Sequence, residues 1–112
     1  MEKDNKGLEN LRIYSEYINL IYYTNMILKK YPKCEIFSLA KEIEVSTYDI
    51  LKFIIEAQKN KKLRLSLLNK IDTNIKYLLV LVRVSYKSKY ISYQNYKAWC
   101  GKLNFVNKLN IG

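Results

Sequence analysis

Seven positively charged side chains follow Asp72, which is the last acidic residue of the sequence. No carboxylate side chain lies among them: Lys76, Arg83, Lys87, Lys89, Lys97, Lys102 and Lys108. Ammonium and guanidinium groups at this density attract polyanions and make salt-dependent contacts with phosphates. The pattern predicts that this part of the chain binds an anionic ligand or partner.

The whole chain is basic as well. It contains 20 Lys and Arg against 10 Asp and Glu, a net charge of +10. Its many Lys, Asn, Ile and Tyr residues are typical of an AT-rich genome, which raises the lysine content without any function. That origin does not explain the acid-free segment, because the codons for Asp and Glu are as compatible with AT-rich DNA as those for Asn and Lys. A merely soluble basic surface remains the alternative.

Lysines alternate with aromatic side chains in the middle of the acid-free segment, which reads YKSKYISYQNYKAW. Such a mixture can hold phosphates and stack on unpaired bases. Tyr96 and Trp99 fall at the spacing of a helix core, so we expect them to be buried. Tyr86, Tyr90 and Tyr93 are better candidates for stacking, and packing at an interface is the alternative for them.

The sequence offers little for catalysis or metal binding. It has no histidine, and its two cysteines, Cys34 and Cys100, lack CxxC spacing. A zinc site needs more soft ligands, so we expect two reduced thiols packed as small hydrophobic side chains. Without histidine the commonest general base is missing, and no nucleophile elbow, P-loop, HExxH or paired-carboxylate motif is present. We therefore expect no enzyme, no metal site and no cofactor.

One long amphipathic helix must position most of these charges. The stretch from Lys62 to Ser92 is predicted to form it, and the helix is expected to stop near Lys89-Tyr90-Ile91. Its apolar seam alternates spacings of three and four: Leu68, Ile71, Ile75, Leu78, Val82 and Ser85. At roughly 100° per residue, the middle group of charges falls on one face away from that seam: Lys76, Arg83 and Lys87.

A third face of this helix is apolar and lies opposite the seam: Tyr77, Val80 and Val84. A helix with apolar side chains on nearly all sides is usually buried on more than one side. A single small domain rarely covers both sides, so the third face predicts contact with a second subunit.

Two helices are predicted before the long one. The first runs from about Leu8 to Lys30, because Pro32 disfavours helix in the residue before it. Its buried stripe is Leu11, Tyr14, Ile18, Ile21, Asn25 and Leu28. The second helix runs from Pro32 or Lys33 to Lys59, and residues 59–62 form a solvated connection. Its seam is Ile36, Ala40, Ile43, Thr47, Ile50, Ile54 and Ala57.

The last helix is predicted from Tyr93 to Leu109. Ser92 can cap it, because its hydroxyl can accept hydrogen bonds from backbone amides one turn into the helix. The core side is Tyr96, Trp99, Cys100, Leu103, Val106 and Asn107. The opposite polar stripe is Lys97, Gly101, Asn104 and Lys108. Glycine is unfavourable inside a helix, so Gly101 predicts either a closely packed neighbour or a kink.

Four helices with short connections predict an all-α, antiparallel, up-down-up-down four-helix bundle. At 112 residues the chain forms one domain, with residues 1–7 disordered. The start is polar and mixed in charge, which does not fit a signal peptide. The most apolar run is far shorter than the roughly 20 residues of a membrane span. We expect a cytoplasmic protein that does not enter membranes.

The turn Tyr31-Pro32-Lys33 resembles the (F/Y)-P-K turn of a group of small four-helix-bundle proteins. The group includes the ribosomal intervening-sequence proteins and the accessory variability determinant (Avd) proteins of diversity-generating retroelements. The intervening-sequence proteins carry an N-I-A-E-G-like motif at the end of the second helix. Residues 54–58 read IIEAQ and do not fit that motif.

The second half of the chain resembles the Avd pattern. Residues 81–85 (LVRVS) are similar to its L-R-L-A-like segment, and residues 90–92 (YIS) to the I-S before its last helix. Tyr96 is similar to a tyrosine in that helix, and residues 103–112 resemble its I-G-like end. The chain departs from the pattern where the family has further arginines on the third helix, since apolar residues such as Leu79 stand there.

The resemblance implies a homopentameric barrel of four-helix protomers with a basic surface. It further implies a non-catalytic accessory protein that binds the reverse transcriptase of the element and its template RNA, or DNA, during mutagenic retrohoming. Arg83 matches the basic residue of the family on the third helix. From the residues alone, a helical protein-binding adaptor with an acidic partner and no nucleic-acid role remains the alternative.

Overall fold

The structure is a computed structural model that describes residues 11–111. It contains one short 3-10 helix, Lys33–Glu35, and four α-helices: α1 Arg12–Leu28, α2 Leu39–Lys59, α3 Arg64–Lys87 and α4 Tyr93–Ile111. Each α-helix packs against the next along the chain, and α1 also packs against α4. The described residues contain no strand. The predicted all-α four-helix bundle is confirmed, whereas the prediction for residues 1–7 lies outside the described residues.

The face that α3 turns to the core is the predicted one. Five of its six predicted seam residues are buried: Ile71, Ile75, Leu78, Val82 and Ser85. The sixth, Leu68, is half-buried at the edge of the core, and the adjacent Leu67 is buried instead. The helix is shorter at both ends than predicted, since it begins at Arg64 and ends at Lys87.

The buried face of α1 differs from the predicted stripe. Its buried residues are Tyr17, Leu20, Ile21, Thr24 and Ile27, so only Ile21 of the predicted stripe is buried. The others are half-buried at its flanks. Two contacts hold this orientation: the Tyr17 hydroxyl donates to the Thr47 carbonyl at 2.5 Å, and Trp99 Nε1 donates to Thr24 Oγ1 at 3.1 Å.

α2 begins later than predicted. After Pro32, whose backbone is extended, Lys33–Glu35 forms a 3-10 turn, and Ser38 has non-helical dihedral angles at the N-cap of α2. The Ser38 hydroxyl donates to the Glu35 carboxylate and accepts no hydrogen bond from a helix amide. Ile36 is therefore exposed outside the helix, although the other predicted seam residues of α2 are buried.

The structure confirms the middle of the predicted core side of α4 and all of its predicted polar stripe. Trp99, Leu103 and Val106 are buried, and every member of the predicted polar stripe is exposed. Tyr96, Cys100 and Asn107 of the predicted core side are half-buried. The backbone N–H of Asn95 donates to Ser92 Oγ at 3.1 Å, so the predicted N-cap of α4 is formed.

The structure differs in part from the predictions for Gly101 and the two cysteines. No heavy atom lies within 4 Å of a Cβ placed on Gly101, and α4 runs through this position without interruption. The glycine therefore has no closely packed neighbour in this chain. Cys34 is exposed in the 3-10 turn rather than packed, whereas Cys100 is half-buried, and both cysteines are free thiols.

Candidate nucleic-acid interface

Contacts between α3 and α4 fix the relative height of their side chains. Asn107 Nδ2 donates to Asp72 Oδ1 at 2.7 Å near one end of the pair. Near the other end the rings of Tyr86 and Tyr96 are stacked, with centroids 4.6 Å apart. Because the helices are antiparallel, this register places Arg83 at about the same height as Lys97.

All seven positively charged side chains of the acid-free segment are exposed. At roughly 100° per residue, the charged side chains of α3 point outward on the side next to α4. Lys97 and Lys108 point outward from α4. The charged side chains of α3 and these two lysines of α4 border one surface, which we call the α3–α4 face. Lys89 lies in the turn between the two helices, at one end of this face.

Two of the seven side chains are engaged elsewhere. The Lys76 ammonium forms an ion pair with Asp72 Oδ2 at 3.1 Å, one helical turn away. Lys102 lies on the side of α4 that faces α1, with its ammonium 5.1 Å from the centre of the Tyr23 ring. Within residues 11–111 the other five have no ion-pair partner: Arg83, Lys87, Lys89, Lys97 and Lys108.

Asp72 marks the boundary of the positive surface. The hydrogen bond from Asn107, followed by that from Lys76, holds the pKa of the Asp72 carboxyl below its ordinary value. The aspartate therefore stays ionised and ties α3 to α4. This use of Asp72 explains why an acid stands beside a surface that is otherwise positive.

The turn after α3 places Lys89 in an unusual conformation. Its φ is 66°, in the left-handed region that favours glycine. The Lys89 amide donates to the Tyr86 carbonyl and the Tyr90 amide to the Ser85 carbonyl, both at 2.9 Å. This pair of bonds is a Schellman motif, which satisfies the last carbonyls of the helix.

The tyrosines around the turn between α3 and α4 make different contacts. Tyr86 and Tyr96 stack on each other, and Tyr93 lies against both at 5.8 and 6.4 Å. The Tyr90 hydroxyl donates to Glu35 Oε2 at 2.7 Å, and its ring contacts the ring of Tyr31. Tyr90 thus ties the α3–α4 turn to the turn between α1 and α2.

The apolar outer face of α3 is uncovered in this chain. Its three members are exposed by 41–58 %: Tyr77, Val80 and Val84. Loss of solvation, followed by the nearby Glu42, raises the pKa of the Tyr77 phenol. The predicted orientation of this face is therefore confirmed, and its contact with another subunit remains a prediction.

One protein family has a sequence pattern that matches this chain over the same residues as the bundle. The sequence model of the bAvd-like family matches residues 11–111. The chain belongs to the bAvd-like family. This membership confirms the resemblance to Avd proteins, which are non-catalytic accessory proteins associated with diversity-generating retroelements. No curated protein and no solved structure matches the chain.

The bAvd-like bundle also has an exposed groove that the sequence did not predict. It lies between α1 and α2, has a volume of about 770 Å³, and is lined in part by Tyr22, Met26, Phe37 and Tyr48. Phe37 is 90 % exposed. The residue spacing gave no signal for this groove, because Phe37 lay inside a predicted helix and the other three lay off the predicted seams.

The bAvd-like chain shows neither a metal-binding group nor a membrane span where it can be described. Residues 11–111 contain no cluster of three or more side chains that could hold a metal ion. None of the helices in that range is long and apolar enough to cross a membrane.

Proposed function

We propose that this bAvd-like protein binds the reverse transcriptase and the template RNA, or DNA, of a diversity-generating retroelement and thereby supports mutagenic cDNA synthesis and retrohoming. The observation that supports it is the α3–α4 face, where five exposed cations have no acidic partner within the described residues. Four of the acids of the described residues lie instead on α2: Glu42, Glu44, Asp49 and Glu56.

Recognition on this face rests on charge and spacing. Arg83 and Lys87 are four residues apart on one helix, a separation of about 6 Å along its axis. Arg83 and Lys97 lie at about the same level on neighbouring helices. Such an array contacts backbone phosphates and reads no base edges, so binding is strong at low salt and weakens as salt rises.

The proposal includes assembly of identical chains, with five as the expected number. The apolar outer face of α3 supports it, since its three members, Tyr77, Val80 and Val84, are 41–58 % exposed. Assembly would repeat the +10 charge of each chain around a ring. Several basic faces could then engage one RNA together, which raises the overall affinity.

The test is the double substitution Arg83→Ala and Lys87→Ala. Both side chains are exposed and lie off the core seam, so we expect the fold to be retained. Binding of a labelled structured RNA should weaken at least tenfold at moderate salt. The slope of log K against log salt should become shallower by about 1.4 if both residues contact single-stranded phosphates, at about 0.7 each.

The matched control removes two lysines at the other end of the bundle. Lys59→Ala with Lys61→Ala changes the net charge equally, at exposed positions near the start of α3. We expect much smaller losses for this variant. Equal losses for both pairs would mean that net charge alone drives binding, and unchanged binding of the first pair would contradict the proposed surface.

A protein-binding adaptor with an acidic partner and no nucleic-acid role is the second candidate. The exposed groove between α1 and α2 favours it, because Lys29 lies beside aromatic side chains there. The RNA titration separates the two candidates. An adaptor should show no RNA binding near micromolar protein, or a response that does not change with salt.

A further inference from the structure

Three tyrosines form a cluster where the end of α3 meets the start of α4. Tyr86 and Tyr96 are nearly parallel, with an angle of 12° between their rings. Tyr93 is tilted against both and is the outermost of the three, with 58 % of its surface exposed. A ring held by two others on one side and open to solvent on the other offers a rigid aromatic surface.

Three lysines lie close to Tyr93 in the register of the two helices or in the turn between them. The register of α3 and α4 puts Lys87 at about the height of Tyr93, and Lys97 lies one helical turn further along α4. Lys89 projects from the turn between the helices. The first turn of α4 contains no acidic residue, so no side chain of that turn offsets the positive end of its dipole.

Tyr90, the other tyrosine of this turn, and Glu35 already have hydrogen-bonding partners. Tyr90 is held by its hydrogen bond to Glu35 and its contact with Tyr31. The Glu35 carboxylate accepts hydrogen bonds from both Tyr90 and Ser38. Glu35 is therefore engaged by two donors, and Tyr93 remains the exposed aromatic ring of the cluster.

We propose that an unpaired base stacks on Tyr93 while the phosphates on either side of it contact Lys87, Lys89 and Lys97. The ligand of the α3–α4 face would then include a single-stranded segment, not only a duplex. This inference rests on the proposed function, which it deepens by naming the kind of nucleic acid. Stacking tolerates any base, so it adds affinity without sequence preference.

The experiment compares two labelled strands of equal length, an unstructured RNA and an abasic strand that keeps the phosphates but lacks bases. Wild-type protein should bind the RNA at least about fivefold more tightly, the lower end of the usual contribution of base–aromatic stacking. Tyr93→Ala should lose that preference and bind the abasic strand as wild type does. Tyr93→Phe should keep the preference.

Tyr22→Ala is the matched control, since Tyr22 is 71 % exposed on α1, away from the α3–α4 face. It should keep the preference for the RNA strand. Equal, salt-sensitive binding of both strands by wild type would overturn stacking and leave the proposed function standing. Failure to bind either strand would overturn the inference, and the titration with structured RNA then decides whether the proposed function stands. A Tyr93→Ala protein that dissociates into single chains would show that Tyr93 packs between subunits and would also overturn the inference.

Discussion

The indole nitrogen of Trp99 donates a hydrogen bond to the Thr24 hydroxyl at 3.1 Å, and both residues are about 99 % buried. This bond joins α4 to α1, the first and last helices of the bundle. It satisfies a donor that no water can reach, and it turns Thr24, a polar residue, into the core.

Thr24→Val should destabilise the bundle although it keeps the size of the side chain. The substitution leaves the indole N–H without a partner, and an unsatisfied buried donor costs about 1–3 kcal/mol. The free energy of unfolding in urea measures the effect. Thr47→Val is the matched control, because the Thr47 hydroxyl bonds only to the Ile43 carbonyl of its own helix. A loss as large for Thr47→Val would contradict this account.

Val80→Asp should dissociate the assembly if the outer face of α3 joins subunits. A carboxylate buried in an apolar contact pays a large desolvation penalty and has no partner. Sedimentation gives the native mass of the variant. Leu65→Asp is the control: Leu65 is more exposed than Val80 and lies on the same helix, about 22 Å away along its axis. A Val80→Asp protein that sediments as wild type would rule out this interface.

Lys89→Gly should raise stability and lower affinity together. Glycine adopts the left-handed conformation without the strain that a side chain brings, so we expect a gain of about 1 kcal/mol in the free energy of unfolding. Loss of the charge should weaken RNA binding. Lys89→Ala removes the charge and keeps the strain, so it should weaken binding equally without the gain. Equal stability of the two variants would contradict the strain.

The pH dependence of stability should depend in part on Asp72. Its pKa is lower in the folded protein, so the unfolded chain binds more protons at acidic pH and stability rises with pH. The contribution is complete above the ordinary aspartate pKa of about 4 and is lost as pH falls through the lower folded value. Urea unfolding at several pH values should show a shallower dependence for Asp72→Asn and for Asn107→Ala. Slopes equal to that of wild type would contradict it.

The sequence predicted the buried face best on α3. There the longest apolar seam, which includes Ile71, Ile75, Leu78 and Val82, is the buried one, and the shorter apolar face opposite it is exposed. On α1, apolar residues occur on nearly all sides, so two stripes satisfy the same spacing. The bond between Thr24 and Trp99 decides between them, and a contact between residues so distant in sequence leaves no trace in periodicity.

Local backbone geometry limited the remaining predictions. Ile36 continues the seam of α2 in phase, yet the 3-10 turn after Pro32 takes it out of the helix. The positions of the charged residues were easier to predict than their contacts. The sequence located all seven cations, but only the structure shows that Lys76 is paired with Asp72 and that Lys102 lies over Tyr23.

The core side and the polar stripe of α4 consist of different residues. Trp99, Leu103 and Val106 anchor the helix, while Lys97 and Lys108 stand on the other side with open space around Gly101 between them. Mutations in the polar stripe can therefore accumulate without a folding penalty. A lineage, or an engineer, could retarget this helix to a different binding partner while the scaffold beneath it stays the same.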